Sequence, residues 1–173
     1  MNLREKLSSL TQLGSDHVPA VLAISNEYSH SIMPVNSDIE LSRYTCLVYA
    51  LGFAGQTEYE DIAGLPHVNV FAGKRFANWL LANGHLQPLT QTEIPEGTFA
   101  IYLDVNGEFL HIGICTADLR LNSKWGNQGL YNHCLLEVPE SYGSSVSYFQ
   151  PISYPAAIEL FKDFAASNDV FFE

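Results

Sequence analysis

The chain of 173 residues carries 47% hydrophobic and 16% charged side chains, the composition of a globular protein rather than a disordered one. Its length predicts one domain, spanning residues 1–173, with a core of its own. Nineteen Asp and Glu against eight Lys and Arg give a net charge of −11. This charge disfavours binding to nucleic acid and to anionic membranes, and it suits binding to a protein partner with a basic surface.

Cysteine and histidine usage argues against metals and cofactors. Cys46, Cys115 and Cys134 are odd in number and widely spaced, so neither a disulfide framework nor a structural zinc site is expected. The histidines lack metal-ligand spacing and no glycine-rich phosphate loop occurs, so no cofactor is predicted. The apolar stretch 17–25 is too short to span a membrane, and the first residues do not resemble a secretory signal. We therefore expect a cytoplasmic protein without membrane insertion, with any export using a route that needs no such signal.

Hydrophobic periodicity predicts helices in the first half of the chain. Apolar residues at positions 3, 7, 10 and 13 predict a short amphipathic helix that ends at Gly14. Residues 25–45 are polar and rich in turn formers, which predicts a loop. The stretch from Cys46 is apolar on nearly all sides, as in a helix buried against a sheet, and Gly52 and Gly55 are expected to end it.

A further helix and a set of strands are predicted in the rest of the chain. The acidic run 58–61 is interpreted as a solvated loop, and residues 74–82 as a helix closed by Asn83 and Gly84. Later periodicity predicts strands over 98–105, 108–115, 119–125 and 145–150, and a closing helix over 154–166. Helices followed by an antiparallel meander predict an α+β fold, with N-terminal helices packed on the sheet and a C-terminal helix closing it.

Turn residues set the expected register of the first two of these strands. The Asn-Gly pair at 106–107, between two alternating runs, predicts a two-residue type I′ hairpin turn. That turn places Val105 opposite Glu108 and Tyr102 opposite His111.

The next turn decides which residue lies beside His111. A three-residue loop over 116–118 places Ser123 opposite His111. A shift of the register in either direction would instead place Asn122 or Lys124 there. Two of the three registers therefore put a neutral hydrogen-bonding side chain beside the imidazole ring.

Cys46 and His111 become candidate catalytic residues when they are considered together. Alone, a cysteine at a helix start or a histidine on a strand is more often a packing residue. In the first turn of a helix, however, backbone N–H groups and the helix dipole favour the thiolate, which predicts a lowered pKa for Cys46. A histidine on a strand can take the proton, and a polar residue on the next strand can orient the ring. The order along the chain predicts a triad of Cys46, His111 and Ser123.

The segments around this triad resemble the NlpC/P60 branch of the papain-like cysteine hydrolases. They are Cys46 at the start of an apolar helix, the segment 95–101 (PEGTFAI) leading into the sheet, and the segment 111–115 (HIGIC). The resemblance covers roughly residues 42–125. It implies a papain-like fold, a cysteine nucleophile, a catalytic histidine and a polar third residue about a dozen positions later, at Ser123. It also implies peptide or amide substrates, among them the peptides of peptidoglycan.

The sequence departs from the family pattern at two positions. Thr45 precedes the cysteine where the family most often has Asp or Asn, and Ser123 stands where the family commonly has His. His133 is therefore an alternative third residue, as is Asn122 in the shifted register. A second resemblance, to the tail of uncharacterised bacterial relatives, is carried by the segments 121–126 (LNSKWG), 132–139 (NHCLLEVP) and 142–143 (YG).

Two functions from different classes fit these features. The first is a cysteine peptidase or amidase, such as a bacterial effector or a housekeeping enzyme. In it Cys46 attacks the carbonyl carbon, His111 protonates the leaving amine and Ser123 or Asn122 orients the ring. The second is a non-catalytic acidic binding protein, such as an immunity-type partner of a basic toxin, in which Cys46 and His111 are core residues. The two differ in whether the Cys46 thiol reacts faster than the other two thiols, which are expected to be inert packing within strands.

Overall fold

The computed structural model describes residues 1–11, 17–40, 44–64, 70–126 and 129–168. Over these ranges the protein is an α+β structure with six α-helices and one six-stranded antiparallel sheet, which confirms the predicted fold class. The helices are α1 (Leu3–Thr11), α2 (Val18–Ala23), α3 (Cys46–Ala50), α4 (Thr57–Ala63), α5 (Lys74–Ala82) and α6 (Tyr154–Ala166). The strands are β1 (Met33–Pro34), β2 (Phe99–Leu103), β3 (Phe109–Cys115), β4 (Leu121–Trp125), β5 (Gly129–His133) and β6 (Ser145–Phe149). None of the helices in the described ranges combines the length and the apolar character that crossing a membrane requires.

The strand order across the sheet is β1-β5-β4-β3-β2-β6. Strands β2 to β5 follow one another as a meander, which confirms the three predicted central strands and adds β5 as a fourth. Strand β6 occupies the predicted range but returns to pair with β2, on the side away from β3. Strand β1 lies within the predicted loop 25–45 and pairs with β5; two residues are too few to show a period of two.

Helices cover both faces of the sheet. The first face carries Phe99, Ile101 and Ile112 and packs against a cluster of aromatic and aliphatic side chains that α3 to α6 supply. The second face carries Tyr102 and Leu121 and packs against side chains of α1, α2 and the short helical turn after α2. Since both faces are covered, nearly every residue of β3 and β4 is withdrawn from solvent.

Local sequence signals locate most helices correctly. Helices α5 and α6 have the predicted bounds, and α3 begins at Cys46 as predicted. The chain leaves α3 through Gly52, whose φ of 70° favours glycine. Helix α1 begins at Leu3, while its predicted end at Gly14 lies outside the described residues.

The acidic run 58–61 belongs to helix α4, so its interpretation as a loop is wrong. Tyr59 and Ile62 of this helix are buried, and Tyr59 stacks on Phe53 with ring centroids 4.9 Å apart. The spacing of three between these two apolar residues marks one buried face. The acidic residues around them occupy the solvent side, which is why the segment looks like a loop in the sequence.

The β2–β3 pairing confirms that Tyr102 lies opposite His111. Leu103 lies opposite Phe109, however, so the register shifts by one residue between these two pairs. Leu110 is the extra residue of this β-bulge.

The hairpin turn itself differs from the predicted two-residue turn. Asp104 N–H donates to Glu108 O at 2.9 Å and Gly107 N–H donates to Asp104 O at 3.1 Å, so the loop has three residues. The Asp104 carboxylate accepts hydrogen bonds from the backbone N–H groups of Asn106 and Glu108, which stabilises this wider loop. Val105 is fully exposed and does not face Glu108.

The turn between β3 and β4 overturns all three predicted registers. Thr116 N–H donates to Arg120 O at 2.9 Å, so the loop covers residues 117–119 rather than 116–118. Leu119 closes this loop with a φ of 62°. Glycine usually adopts that conformation, so a leucine at this position gives no sign of the turn in the sequence. Cys115 therefore pairs with Leu121, and continuing the same register carries Ser123 beside Gly113 rather than His111.

Candidate active site

Strands β3 and β4 pair over a short length only. Their ladder comprises Ile114 with Asn122 and Cys115 with Leu121, although β4 pairs with β5 along its whole length. Helix α3 packs against both β3 and β4. The first residue of α3, Cys46, thus lies close to the point where the two strands separate.

Thr45 is the N-cap of α3 and holds the helix start in place. Its side chain accepts a hydrogen bond from Val48 N–H at 3.2 Å and donates one to Ala72 O at 2.9 Å. Threonine is an effective N-cap, so the departure from Asp or Asn at this position keeps the helix start intact.

The environment of the Cys46 thiol opposes ionisation. Burial raises the pKa of the thiol to about 11, and the backbone N–H groups of Ile112 and Leu47 and the charge of Lys124 offset that rise only in part. The prediction of a lowered pKa is therefore wrong in direction. The cause is desolvation of the thiol, which raises the pKa by more than the N-terminus of α3 lowers it, since this helix is only five residues long.

Lys124 is the unexpected member of the site. The residue is 1% exposed, and its ammonium donates to Gly126 O and lies 5.4 Å from the centroid of the Tyr44 ring. Burial lowers the pKa of the ammonium to about 8, against the opposing effect of Cys46. A buried cation therefore lies on the α3 side of the sheet.

His111 lies on the second face, next to Tyr102. Its ring stacks on Tyr142 with centroids 4.0 Å apart and planes inclined by 16°. The Nε2 atom is buried and has no hydrogen-bond partner among the described residues. Burial, followed by the charges of His133 and Lys124, holds the pKa of His111 well below its ordinary value. The imidazole is therefore neutral at pH 7.

Ser123 is hydrogen-bonded to His133 and Trp125 rather than to His111. Its hydroxyl lies 2.7 Å from His133 Nε2 and accepts a hydrogen bond from Trp125 Nε1 at 2.8 Å. His133 Nδ1 lies 2.8 Å from the carbonyl oxygen of Cys134 and must donate to it, so Nε2 accepts the hydroxyl proton. Burial lowers the pKa of His133 to about 4, in keeping with this neutral tautomer.

The other two candidates for the third residue have different roles. Asn122 accepts a hydrogen bond from Asn132 Nδ2 at 2.9 Å and faces away from the side of Ser123. His133 lowers the pKa of His111 electrostatically, while both ring nitrogens of His133 are engaged elsewhere. No predicted third residue is hydrogen-bonded to His111 within the described residues.

Four residues form what we call the polar cluster: Cys46, His111, Lys124 and Tyr142. Lys124 acts electrostatically on both Cys46 and His111, and the Cys46 thiol acts on Tyr142, which stacks on His111. No hydrogen bond joins Cys46 Sγ to His111 in the part of the chain that the structure describes. Cys46 and His111 are thus linked through Lys124 and Tyr142, which the sequence analysis did not assign to the site.

Sequence reasoning missed Lys124 and Tyr142 as site residues. Alternation in the run 121–125 places Lys124 on the face opposite Leu121 and Trp125, where a lysine is expected to meet solvent, and nothing in the sequence shows that α3 covers that face. In the sequence, Tyr142 belongs only to the segments of the tail resemblance, whereas its stacking on His111 and the hydrogen bond that it accepts from Gly126 N–H at 3.1 Å connect it to the site.

The other two thiols differ from each other. Cys115 is buried at the end of β3, and burial raises its pKa to about 11. Cys134 is exposed beyond the end of β5, so its interpretation as packing within a strand is wrong. Labelling experiments on Cys46 therefore need Cys134 removed.

A cleft of about 340 Å³ opens beside the helix that carries Cys46. Tyr44, Val48 and Phe53 line one part of it, and Tyr59 and Phe71 line another. Tyr44 also faces the Lys124 ammonium, so one side chain adjoins both the cleft and the polar cluster. Within the described ranges, no three His, Cys, Asp or Glu side chains converge as ligands of a metal ion.

No protein-family model matches this chain, and no curated protein and no solved structure shows significant similarity to it. The resemblance to NlpC/P60 hydrolases accordingly rests on Cys46, His111 and the segments around them.

Proposed function

We propose that this protein is a cysteine hydrolase that cleaves an amide bond, with Cys46 as nucleophile and His111 as the group that moves the proton. The observation that carries the proposal is His111 Nε2, which lies in the same polar cluster as Cys46, buried and without a hydrogen-bond partner among the described residues. Leaving a buried polar atom unpaired costs about 1–3 kcal/mol. A buried unpaired imidazole nitrogen supports a role in which its partner arrives during the reaction.

The proposed reaction begins with transfer of the Cys46 proton to His111 Nε2 as sulfur attacks the carbonyl carbon. The backbone N–H groups of Leu47 and Ile112, which face the thiol, are placed to stabilise the oxyanion. The tetrahedral intermediate expels the amine, which takes the proton from His111 and leaves a thioester. Water then gives a proton to His111 and adds to the thioester, releasing the carboxylic acid and restoring the thiol.

The raised thiol pKa favours coupled proton transfer over a preformed ion pair. At pH 7 the Cys46 thiol is protonated and the His111 imidazole is neutral, because burial raises one pKa and lowers the other. A neutral imidazole is competent as a general base. The imidazolium that it becomes lies near Lys124, and this repulsion helps it to pass the proton on to the leaving amine.

The substrate class follows from the resemblance and the cleft. The NlpC/P60-like segments around Cys46 and His111 support a peptidase or amidase, including one that acts on peptidoglycan peptides or as a bacterial effector. The cleft beside Tyr44 is lined mainly by aromatic and aliphatic side chains, which favours an apolar group next to the scissile bond.

The second candidate is the acidic binding protein that recognises a basic partner. The raised pKa of the Cys46 thiol favours it, because a protonated, half-buried cysteine is an ordinary packing residue. The net charge of −11 suits fast association with a basic protein.

Acylation by p-nitrophenyl acetate at pH 7 distinguishes the two candidates. The assay uses the Cys134→Ser protein and locates the acetyl group by peptide mass spectrometry. The hydrolase proposal expects one acetyl group on Cys46, and at least about 100-fold slower acylation in His111→Ala, since general-base catalysis contributes about 10²–10⁴. His85→Ala, which removes a histidine stacked on Trp79, is the matched control and should leave the rate unchanged.

Two results would reject the hydrolase. One is acetylation of Cys46 no faster than that of Cys115, and the other is a His111→Ala rate equal to that of the parent with an unchanged circular dichroism spectrum. Either result favours the acidic binding protein.

A further inference from the structure

Lys124 carries a charge that the described structure does not neutralise. The chain has nineteen Asp and Glu residues, yet within the described ranges none forms a salt bridge with Lys124. The ammonium has one carbonyl acceptor, Gly126 O, and the face of the Tyr44 ring. Buried lysines are normally paired, or their ammonium reaches solvent at the end of the flexible side chain. Among the described residues neither arrangement applies to Lys124, which is 1% exposed.

The position of Lys124 on β4 points to Cys46. Leu121 and Trp125 face the helices α1 and α2, so the alternation of the strand directs Lys124 to the other face, against which α3 packs. The first residue of α3 is Cys46, and the two side chains interact electrostatically. An ammonium near a thiol stabilises the thiolate, and it does so more strongly in a dry environment.

We propose that the Lys124 ammonium is the electrostatic partner of Cys46, holding the negative charge that develops on Sγ when the thiol proton leaves. Lys124 keeps its own proton throughout, so no bond to it is formed or broken. The proposal rests on the proposed function in one respect, namely that Cys46 is the nucleophile. It assigns to Lys124 the role of stabilising the thiolate and leaves proton transfer to His111.

Lys124 is the group around Cys46 that changes its charge in mildly alkaline solution. Its pKa lies at about 8. Burial lowers the pKa of His111 well below its ordinary value and that of His133 to about 4, and burial raises the pKa of Tyr142 well above its ordinary value. In the described part of the chain, the remaining titratable neighbours on the packed elements are Tyr44 and Tyr49.

The alkylation rate of Cys46 by iodoacetamide between pH 6 and 10 tests this role directly. In Cys134→Ser/His111→Ala protein, which lacks the proposed general base and is the parent in this experiment, the rate should rise about tenfold per pH unit and then flatten near pH 8, because thiolate formed above that pH has a neutral amine beside it. Lys124→Arg retains its charge throughout this range, so its profile should rise without flattening. Lys124→Met should react about tenfold more slowly at pH 7 and rise without a break, since an opposite charge nearby is worth at least about one pKa unit.

Comparison with iodoacetate adds a readout that a purely structural lysine would not affect. The anionic reagent is attracted by the ammonium, so the ratio of iodoacetate to iodoacetamide rates at pH 7 should fall severalfold in Lys124→Met and persist in Lys124→Arg. If Lys124→Met does not fold, the break in the parent profile still decides the question. A parent profile without a break near pH 8, or a folded Lys124→Met that reacts within twofold of the parent throughout, overturns the proposal. Neither readout involves His111 or amide cleavage, so failure of the hydrolase proposal is detected separately by the acylation assay.

Discussion

Replacing Ser123 by Ala separates the role that the sequence predicts for this residue from the role that the structure shows. The hydroxyl accepts from Trp125 Nε1 and donates to His133 Nε2, and the Ser123 residue is completely buried. The substitution leaves Trp125 Nε1 and His133 Nε2 without a hydrogen-bond partner in the core. Each unpaired buried atom costs about 1–3 kcal/mol, so the free energy of unfolding should fall by about 2–6 kcal/mol.

Urea denaturation measures this loss, with Ser145→Ala as the matched control. Ser145 lies exposed on β6, and its replacement should change the free energy of unfolding by less than about 0.5 kcal/mol. A double-mutant cycle with His133→Gln should show coupling of about 0.5–3 kcal/mol, because Ser123 and His133 share a hydrogen bond.

Acylation of Cys46 in folded Ser123→Ala protein should proceed at the parent rate, because Ser123 is bonded to His133 and Trp125. A stability loss below about 0.5 kcal/mol with no coupling would refute the structural role. A large loss of acylation rate in protein that remains folded would restore Ser123 to the triad.

Three further substitutions test other parts of the structure. The free energy of unfolding should fall by about 1.4 kcal/mol per pH unit between pH 6.5 and 4 on account of His133, and His133→Gln should remove that share of the slope in urea titrations at each pH. The sign follows because unfolded chains bind a proton below about pH 6.5 that folded His133 accepts only near pH 4. Thr45→Ala removes the N-cap of α3 and the hydrogen bond to Ala72 O, so the free energy of unfolding, measured by thermal denaturation, should fall by about 1–2 kcal/mol. Leu119→Gly relieves a side chain held at a φ of 62° and should raise the free energy of unfolding by about 1 kcal/mol, whereas a loss would contradict the assigned strain.

Elements whose signals are local could be predicted from the sequence. Helices α5 and α6 have the expected bounds because their apolar spacing and end signals lie within the segments themselves. The pairing of Tyr102 with His111 is correct for a different reason, since the wider loop at residues 105–107 and the bulge at Leu110 compensate each other. The sequence contained neither deviation as a visible signal.

The candidate site could be predicted only where it depends on one element at a time. Cys46 begins α3 and His111 lies on a central strand, as expected. The partner of Ser123 depends on the register between β3 and β4. A turn that contains Leu119 at positive φ sets this register, and the sequence of that turn matches no common turn motif. The direction of the Cys46 pKa shift and the burial of Lys124 depend on packing from several elements, which periodicity within one segment does not report.

The pH dependence of Cys46 acylation by p-nitrophenyl acetate tests most directly whether His111 accepts the thiol proton. If it does, the acylation rate of Cys134→Ser protein stays constant between pH 6 and 8, because the imidazole is already neutral there. In His111→Ala the rate should be lower and should rise about tenfold per pH unit between pH 6 and 8, because the thiol pKa lies well above that range, at about 11. A parent rate that rises in the same way as that of His111→Ala would show that free thiolate alone reacts, and would contradict the proposed role of His111.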